Sequence, residues 1–251
     1  MRKPMMAGNW KMNKTRDEAL QFIFAVNQEL PDSSLVDTVI FSQPVLLRCL
    51  VKRQGEQLRI GAQNMHYEDS GAFTGEVSPK LLNQTGVEYA ILGHSERRKM
   101  YNETSEAVNK KMIAALNNEI TPIVCCGETP EEREAGLLVD RITYQITKAY
   151  KDINPMDVPK TVVAYEPIWA VGTGVTASPE VADEACGLVR SVIKKLYGAS
   201  ISEEIRILYG GSVTLSNIDD ILSKENIDGA LVGGASLDPD TFIELAKKCV
   251  K

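Results

Sequence analysis

The feature that most constrains this chain is a repeated change of period. Short apolar or β-branched runs, bounded by turn residues, alternate with longer amphipathic stretches, and the alternation occurs eight times in 251 residues. The runs predicted as strands are Met5 to Trp10, Thr38 to Phe41, Leu58 to Gln63, Tyr89 to Gly93, Thr121 to Cys126, Thr161 to Tyr165, Ile205 to Tyr209 and Ala230 to Val232. Helices are predicted over Thr15 to Leu30, Pro44 to Arg53, from Ser78 with Pro79 at its first position, Ser105 to Asn118, and Glu131 to Tyr150 with Gly136 as a break point. Three more follow at Glu180 to Tyr197, about Leu215 to Leu222, and Asp240 to Val250. Thr15 with Glu18 three residues on is the pattern of a capping box. Strand and helix in alternation imply a parallel sheet with helical crossovers. Eight units close into a (β/α)₈ barrel of the α/β class; an open doubly wound sheet is the alternative. No linker or low-complexity segment divides the chain, so residues 1–251 read as one barrel domain.

Charge narrows the function classes. The net charge of −6 offers no basic footprint for nucleic acid. An anionic substrate therefore needs a local positive patch. Cys49, Cys125, Cys126, Cys186 and Cys249 form no disulfide framework and no Cys-x-x-Cys pair, which points to a reducing, cytoplasmic setting. The apolar run near the N-terminus is broken by Gly8 and Asn9, too short for a secretion signal, and no stretch is long enough to span a bilayer. His66 and His94 are the two histidines, so a histidine-rich metal site is not expected. Gly172 to Ala177 fits a G-x-G-x-x-A pattern. It follows a loop rather than a strand, and Lys194-Lys195 stand where an acidic residue would hold a ribose, so no dinucleotide site is read there.

Active sites of such barrels form at the C-terminal ends of the strands, and the unusual polar residues fall there. The first strand ends in Asn9-Trp10-Lys11, the fourth in Gly93-His94-Ser95-Glu96, and the sixth in Tyr165-Glu166-Pro167. The seventh and eighth end in Gly210-Gly211-Ser212 and Gly233-Gly234-Ala235-Ser236. Glycine-rich turns there let backbone N–H groups approach a phosphate, with Ser212 adding a hydroxyl. A carboxylate facing a neutral imidazole suits proton abstraction beside a carbonyl. His94 precedes a helix start, and the positive end of a helix disfavours imidazolium. Taken singly, each residue has an ordinary structural explanation; their convergence on one rim carries the functional reading.

Several blocks resemble the signatures of one family. Ala7 to Asn13, Gly61 to Asn64, Gly71 to Glu76, Gly93 to Arg98, Cys126 to Thr129, Ala164 to Gly174, Tyr209 to Val213 and Leu231 to Leu237 are similar, in order, to those of triosephosphate isomerases. The resemblance implies a TIM barrel that interconverts small phosphorylated three-carbon substrates without a cofactor. It implies Glu166 as the base, His94 as the electrophile, and Asn9 and Lys11 as substrate-binding and polarising groups. Glu96 would orient Lys11 or relay a proton. Gly172, Ser212, Gly233 and Gly234 would contact phosphate, and Pro167 to Ala177 would form a lid. The loop Asn64 to Glu76 would enter a partner subunit of a homodimer, with Thr74 near that partner's site. Val175 departs from the polar residue common at its lid position, and Met12 and Met65 occupy variable positions. A related barrel acting on a larger phosphosugar, or an inactive barrel kept for binding, are the competing readings.

Overall fold

A computed structural model describes residues 2–170 and 176–250. Its eight strands are β1 (Met5–Asn9), β2 (Asp37–Ser42), β3 (Leu58–Ala62), β4 (Tyr89–Leu92), β5 (Thr121–Cys126), β6 (Val162–Tyr165), β7 (Arg206–Tyr209) and β8 (Gly229–Val232). All neighbouring pairs are parallel, and β8 returns to pair with β1, closing the barrel. The open-sheet alternative is thereby removed.

Two apolar layers follow from the two-residue period of the strands. Met5, Ala7, Val39, Phe41, Ile91, Ile123, Cys125, Val162, Ala164, Leu208 and Leu231 fill the barrel interior. Residues of opposite parity, including Met6, Ile40, Ile60, Val163 and Ile207, pack outward against the helices. The inward parity continues past the strand ends: Asn9 follows Met5 and Ala7, and Glu166 follows Val162 and Ala164. The alternation that builds the core thus aims these two polar side chains at the barrel mouth.

The helices start where short polar side chains can cap them. Thr15 and Glu18 form the expected capping box on helix Arg16–Val26, the type of cap whose loss costs about 1 kcal/mol. That helix stops at Val26, short of the predicted Leu30, and residues 27–30 form a turn. The predicted helix Glu131 to Tyr150 is two helices, Pro130–Glu134 and Leu138–Ala149. Gly136 lies between them in the left-handed region, at φ 69°, which an L side chain adopts at a cost. A helix at Ala199–Glu204 and two 3₁₀ turns, Val158–Lys160 and Gly234–Ser236, lie where no element was expected.

The rim opposite the mouth is tied by charge. Asp228 receives the Arg2 guanidinium at 2.6 Å and that of Arg190 at 3.0 Å, and Asp37 pairs with Lys3 and Arg206, both at 2.5 Å.

Candidate active site

A cavity of about 400 Å³ opens at the C-terminal end of the strands. Its lining includes Asn9, Lys11, His94, Glu166, Ser212, Gly233 and Gly234. Every sequence-predicted catalytic residue except Glu96 is in that wall, and Glu96 reaches it by pairing with Lys11. The volume is near the small end of the range for ligand pockets, about 300–1,000 Å³, and suits a small substrate.

Glu166 is 2% exposed, and three donors converge on its carboxylate. Ser95 donates its backbone N–H at 2.9 Å and its hydroxyl at 3.0 Å, and His94 Nε2 lies 3.0 Å from Oε1. Burial pushes the Glu166 carboxyl up, but His94 and the two Ser95 bonds outweigh it, leaving the group below the ordinary glutamic-acid range. Ser95 was visible only as part of the Gly-His-Ser-Glu block, with no role attached. Its role follows from the start of helix Ser95–Met100, where a free backbone N–H and a hydroxyl point the same way.

His94 is the N-cap of that helix, and its Nδ1 accepts the backbone N–H of Glu96 at 3.3 Å. An accepting Nδ1 carries no proton, so in the neutral ring the proton sits on Nε2, facing Glu166. Burial lowers the proton affinity of His94, while Glu166 chiefly, and Glu96 as well, raise it beyond that. With the carboxylate alongside, the net direction is upward. The tautomer expected of an electrophile is in place, and the same contact draws His94 toward imidazolium.

Lys11 is held in the left-handed region at φ 52°. Three contacts fix it there: its N–H donates to Asn9 Oδ1 at 3.0 Å, its carbonyl accepts from Gln63 Nε2 at 2.8 Å, and its ammonium pairs with Glu96 at 2.8 Å. A non-glycine residue at positive φ costs of order 1–3 kcal/mol and persists where surroundings impose it. Gln63 also donates to the Phe41 carbonyl at 3.1 Å, so one amide ties the mouths of the first three units together. In the sequence it stands out only as part of the Gly61 to Asn64 block, with no role attached, because it acts on backbone groups.

The phosphate-side turns are close to the cation. A Cβ placed on Gly233 would sit 3.4 Å from Lys11 Cε, and one on Gly234 would meet nothing within 4 Å. Gly127, at the end of β5, has no room for a Cβ against the Glu166 carbonyl, while Glu166 N–H donates to the Cys126 carbonyl at 2.8 Å. The start of the expected lid is anchored: Trp169 Nε1 donates to the buried Glu128 carboxylate at 2.7 Å, which Tyr165 also reaches through its hydroxyl at 3.0 Å. Gly172, expected to contact phosphate, and the lid positions Val171, Thr173, Gly174 and Val175 lie outside the described residues. Thr74 is exposed and is not part of the cavity wall of its own chain. Among the described residues no group of three or more acidic, histidine or cysteine side chains is placed to hold a metal.

The triosephosphate isomerase family model matches residues 4–249. The curated triosephosphate isomerase of Pediococcus pentosaceus is 52% identical over 246 residues, covering 98% of each chain.

Proposed function

Since this chain belongs to the triosephosphate isomerase family, we propose the roles by which its rim residues carry the family reaction. The reaction interconverts dihydroxyacetone phosphate and D-glyceraldehyde 3-phosphate by proton transfer through an enediolate, a step of glycolysis and gluconeogenesis. Glu166 moves the proton between C1 and C2. His94 donates from Nε2 to the oxygen that gains charge, and Asn9 and Lys11 polarise the same carbonyl. Gly172, Ser212, Gly233 and Gly234 receive the phosphate. Glu96 holds the Lys11 ammonium in place.

The observation that carries this reading is the contact of the buried Glu166 carboxylate with both His94 and Ser95. A substrate entering between base and imidazole must break that contact. Freed of its three donors and still buried, the carboxylate becomes a stronger base where the carbon acid lies, and His94 loses the neighbour that draws it toward imidazolium. The lowered basicity of Glu166 is therefore tied to its contacts with His94 and Ser95. A coupled rate assay with glyceraldehyde 3-phosphate tests the set: substitution of Asn9, Lys11, His94 or Glu166 one at a time lowers kcat/KM by at least about 10²-fold for each acid–base or oxyanion group. Any of the four that can be replaced without loss has no such role.

The chain acts as a homodimer in the cytoplasm, with residues 1–251 as one domain. Exposed apolar side chains support the dimer: Met12 after β1, Val45 on helix Pro44–Val51, Phe73 in loop 64–76, Leu81 on helix Pro79–Thr85, and Met100 and Tyr101 beyond β4. They belong to the first four units, which are consecutive around the barrel. A second copy covering such a surface would fit the family's arrangement, in which the loop bearing Thr74 enters the partner near its site. Five free cysteines suit a reducing compartment.

A further inference from the structure

Trp10 is fully buried between Asn9 and Lys11, and the chemistry above gives it nothing to do. Its neighbours line the cavity, while its own ring turns to the outer layer, as strand parity requires. There the indole N–H donates to the Ser236 carbonyl at 2.9 Å. Ser236, also fully buried, folds back on the turn: its hydroxyl and its N–H both donate to the Gly233 carbonyl, at 2.7 and 2.9 Å. The close approach is possible because residue 8 is glycine; a Cβ there would sit 2.7 Å from Ser236 Cβ. The ring itself is fixed edge-on to Phe22, at 5.0 Å between centroids, and Phe22 in turn meets Phe242 of helix Pro239–Lys248 at 5.9 Å.

We propose that Trp10 is a positioning residue for the phosphate end of the substrate, setting the Gly233–Gly234 turn at a fixed span from Asn9 and Lys11 through its bond to Ser236. The proposal rests on the reading of that turn as the phosphate site. Three consecutive residues then carry the oxyanion group, the gauge and the cation. The span between the reacting carbons and the phosphate is thus set by covalent geometry plus one buried hydrogen bond. Backbone donors bind an anion well only when held to within about 0.5 Å, and Gly233, Gly234 and Ala235 have no polar side chain of their own to hold the turn. A purely structural tryptophan would affect folding and every substrate alike. A positioning tryptophan acts on the phosphate alone.

The test uses the full chain with Trp10→Phe, which keeps most of the packing and removes the donor, and Ser236→Ala, which removes the hydroxyl bond to Gly233. Two quantities are read: inhibition by inorganic phosphate, and kcat/KM for glyceraldehyde 3-phosphate relative to that for phosphate-free glyceraldehyde. In both variants the phosphate inhibition constant rises about three- to tenfold, the effect of one hydrogen bond's net contribution. The kcat/KM ratio falls by a similar factor. If Trp10→Phe does not fold, Ser236→Ala carries the same expectation. An unchanged inhibition constant in each folded variant, or equal loss on both substrates, overturns the proposal. Gly234→Asp, which puts a carboxylate into open pocket space, separates the two levels of the argument. If it leaves phosphate inhibition intact, the turn is not the phosphate site and the reading beneath the proposal fails. If it abolishes inhibition while the other two variants do not shift it, only the role of Trp10 and Ser236 is lost.

Discussion

Replacing Glu166 by glutamine is the sharpest perturbation of this site, because it changes charge and hydrogen-bond sense with almost no change of shape. Three donors point at the carboxylate: Ser95 N–H, Ser95 Oγ–H and His94 Nε2–H. A carboxylate accepts all three on two oxygens. A carboxamide has one accepting oxygen and turns its NH₂ toward the other donors, so the contact to His94 or to Ser95 is lost. More decisively, an amide cannot take a carbon-bound proton. A positioned general base is worth about 10²–10⁴ in rate, and among the described residues no second carboxylate lines the cavity to substitute. A fall in kcat of about 10³-fold corresponds to about 4 kcal/mol of transition-state stabilisation. KM and inhibition by inorganic phosphate should change little, since the groups expected to hold the phosphate, backbone N–H groups and Ser212 of the turns after β7 and β8, are left in place by the substitution. Nitrogen NMR supplies an independent arm. Glu166 is the foremost group raising the proton affinity of His94, against a burial effect that lowers it. In Glu166→Gln the titration of His94 should therefore move downward from that of the parent. The reasoning is refuted by a variant that keeps more than about a tenth of the parent kcat, or by a His94 titration that does not move.

Three other outcomes are expected. The acid limb of kcat/KM, corrected for ionisation of the substrate phosphate, should lie below the ordinary glutamic-acid value. The base must be ionised to act, and burial is outweighed by His94 and Ser95 in the free enzyme; a limb above that value would contradict the contact geometry. Deleting Ala170 to Thr173 should leave a folded protein with slow isomerisation that releases methylglyoxal and inorganic phosphate as a sizeable share of product, because an enediolate open to water expels its phosphate. No rise in methylglyoxal per turnover would show that the segment does not guard the intermediate. Deleting residues 69–75 should leave a monomer of low activity where the proposed dimer is expected of the parent, read by sizing in solution and by rate; a fully active monomer would show the site complete within one chain.

Much of the barrel was legible because core and mouth obey one rule. A period of two sorts Met5, Ala7 and Asn9 to one side, and Val162, Ala164 and Glu166 likewise, so polar residues ending apolar runs announce themselves. His94 was legible from its place before a helix start. The break between Glu134 and Leu138 was half legible: Gly136 marked it, but the polar and apolar residues on either side continue a helical rhythm that hides two separate helices. The helix Ala199–Glu204 was missed because it is short and presents little apolar periodicity, with only Ser202 buried. Gln63, Ser95 and Glu128 were invisible as site residues for a different reason. Their partners are backbone groups or side chains from other units, such as the Lys11 carbonyl, the Glu166 carboxylate and the Trp169 indole, and sequence spacing does not encode such pairings.

Closure of the barrel joins the two ends of the chain in time as well as in space. β1 finds one of its two partners, β2, soon after synthesis, but its other partner, β8, pairs Met5 with Gly229 and Gly8 with Val232. Until then the nascent sheet has two open edges, each a row of unsatisfied backbone groups able to capture another strand. The entropy of closing so long a loop grows only slowly with its length, so the seam is not costly in equilibrium, but it is late. Asn9 and Lys11 face Gly233 and Gly234 across that same seam, and Trp10 meets Ser236 there. A chain ending before β8 lacks Gly233, Gly234 and the Ser236 carbonyl that Trp10 meets. The protein completes its site and loses its sticky edges in one event, when the last strand docks beside the first.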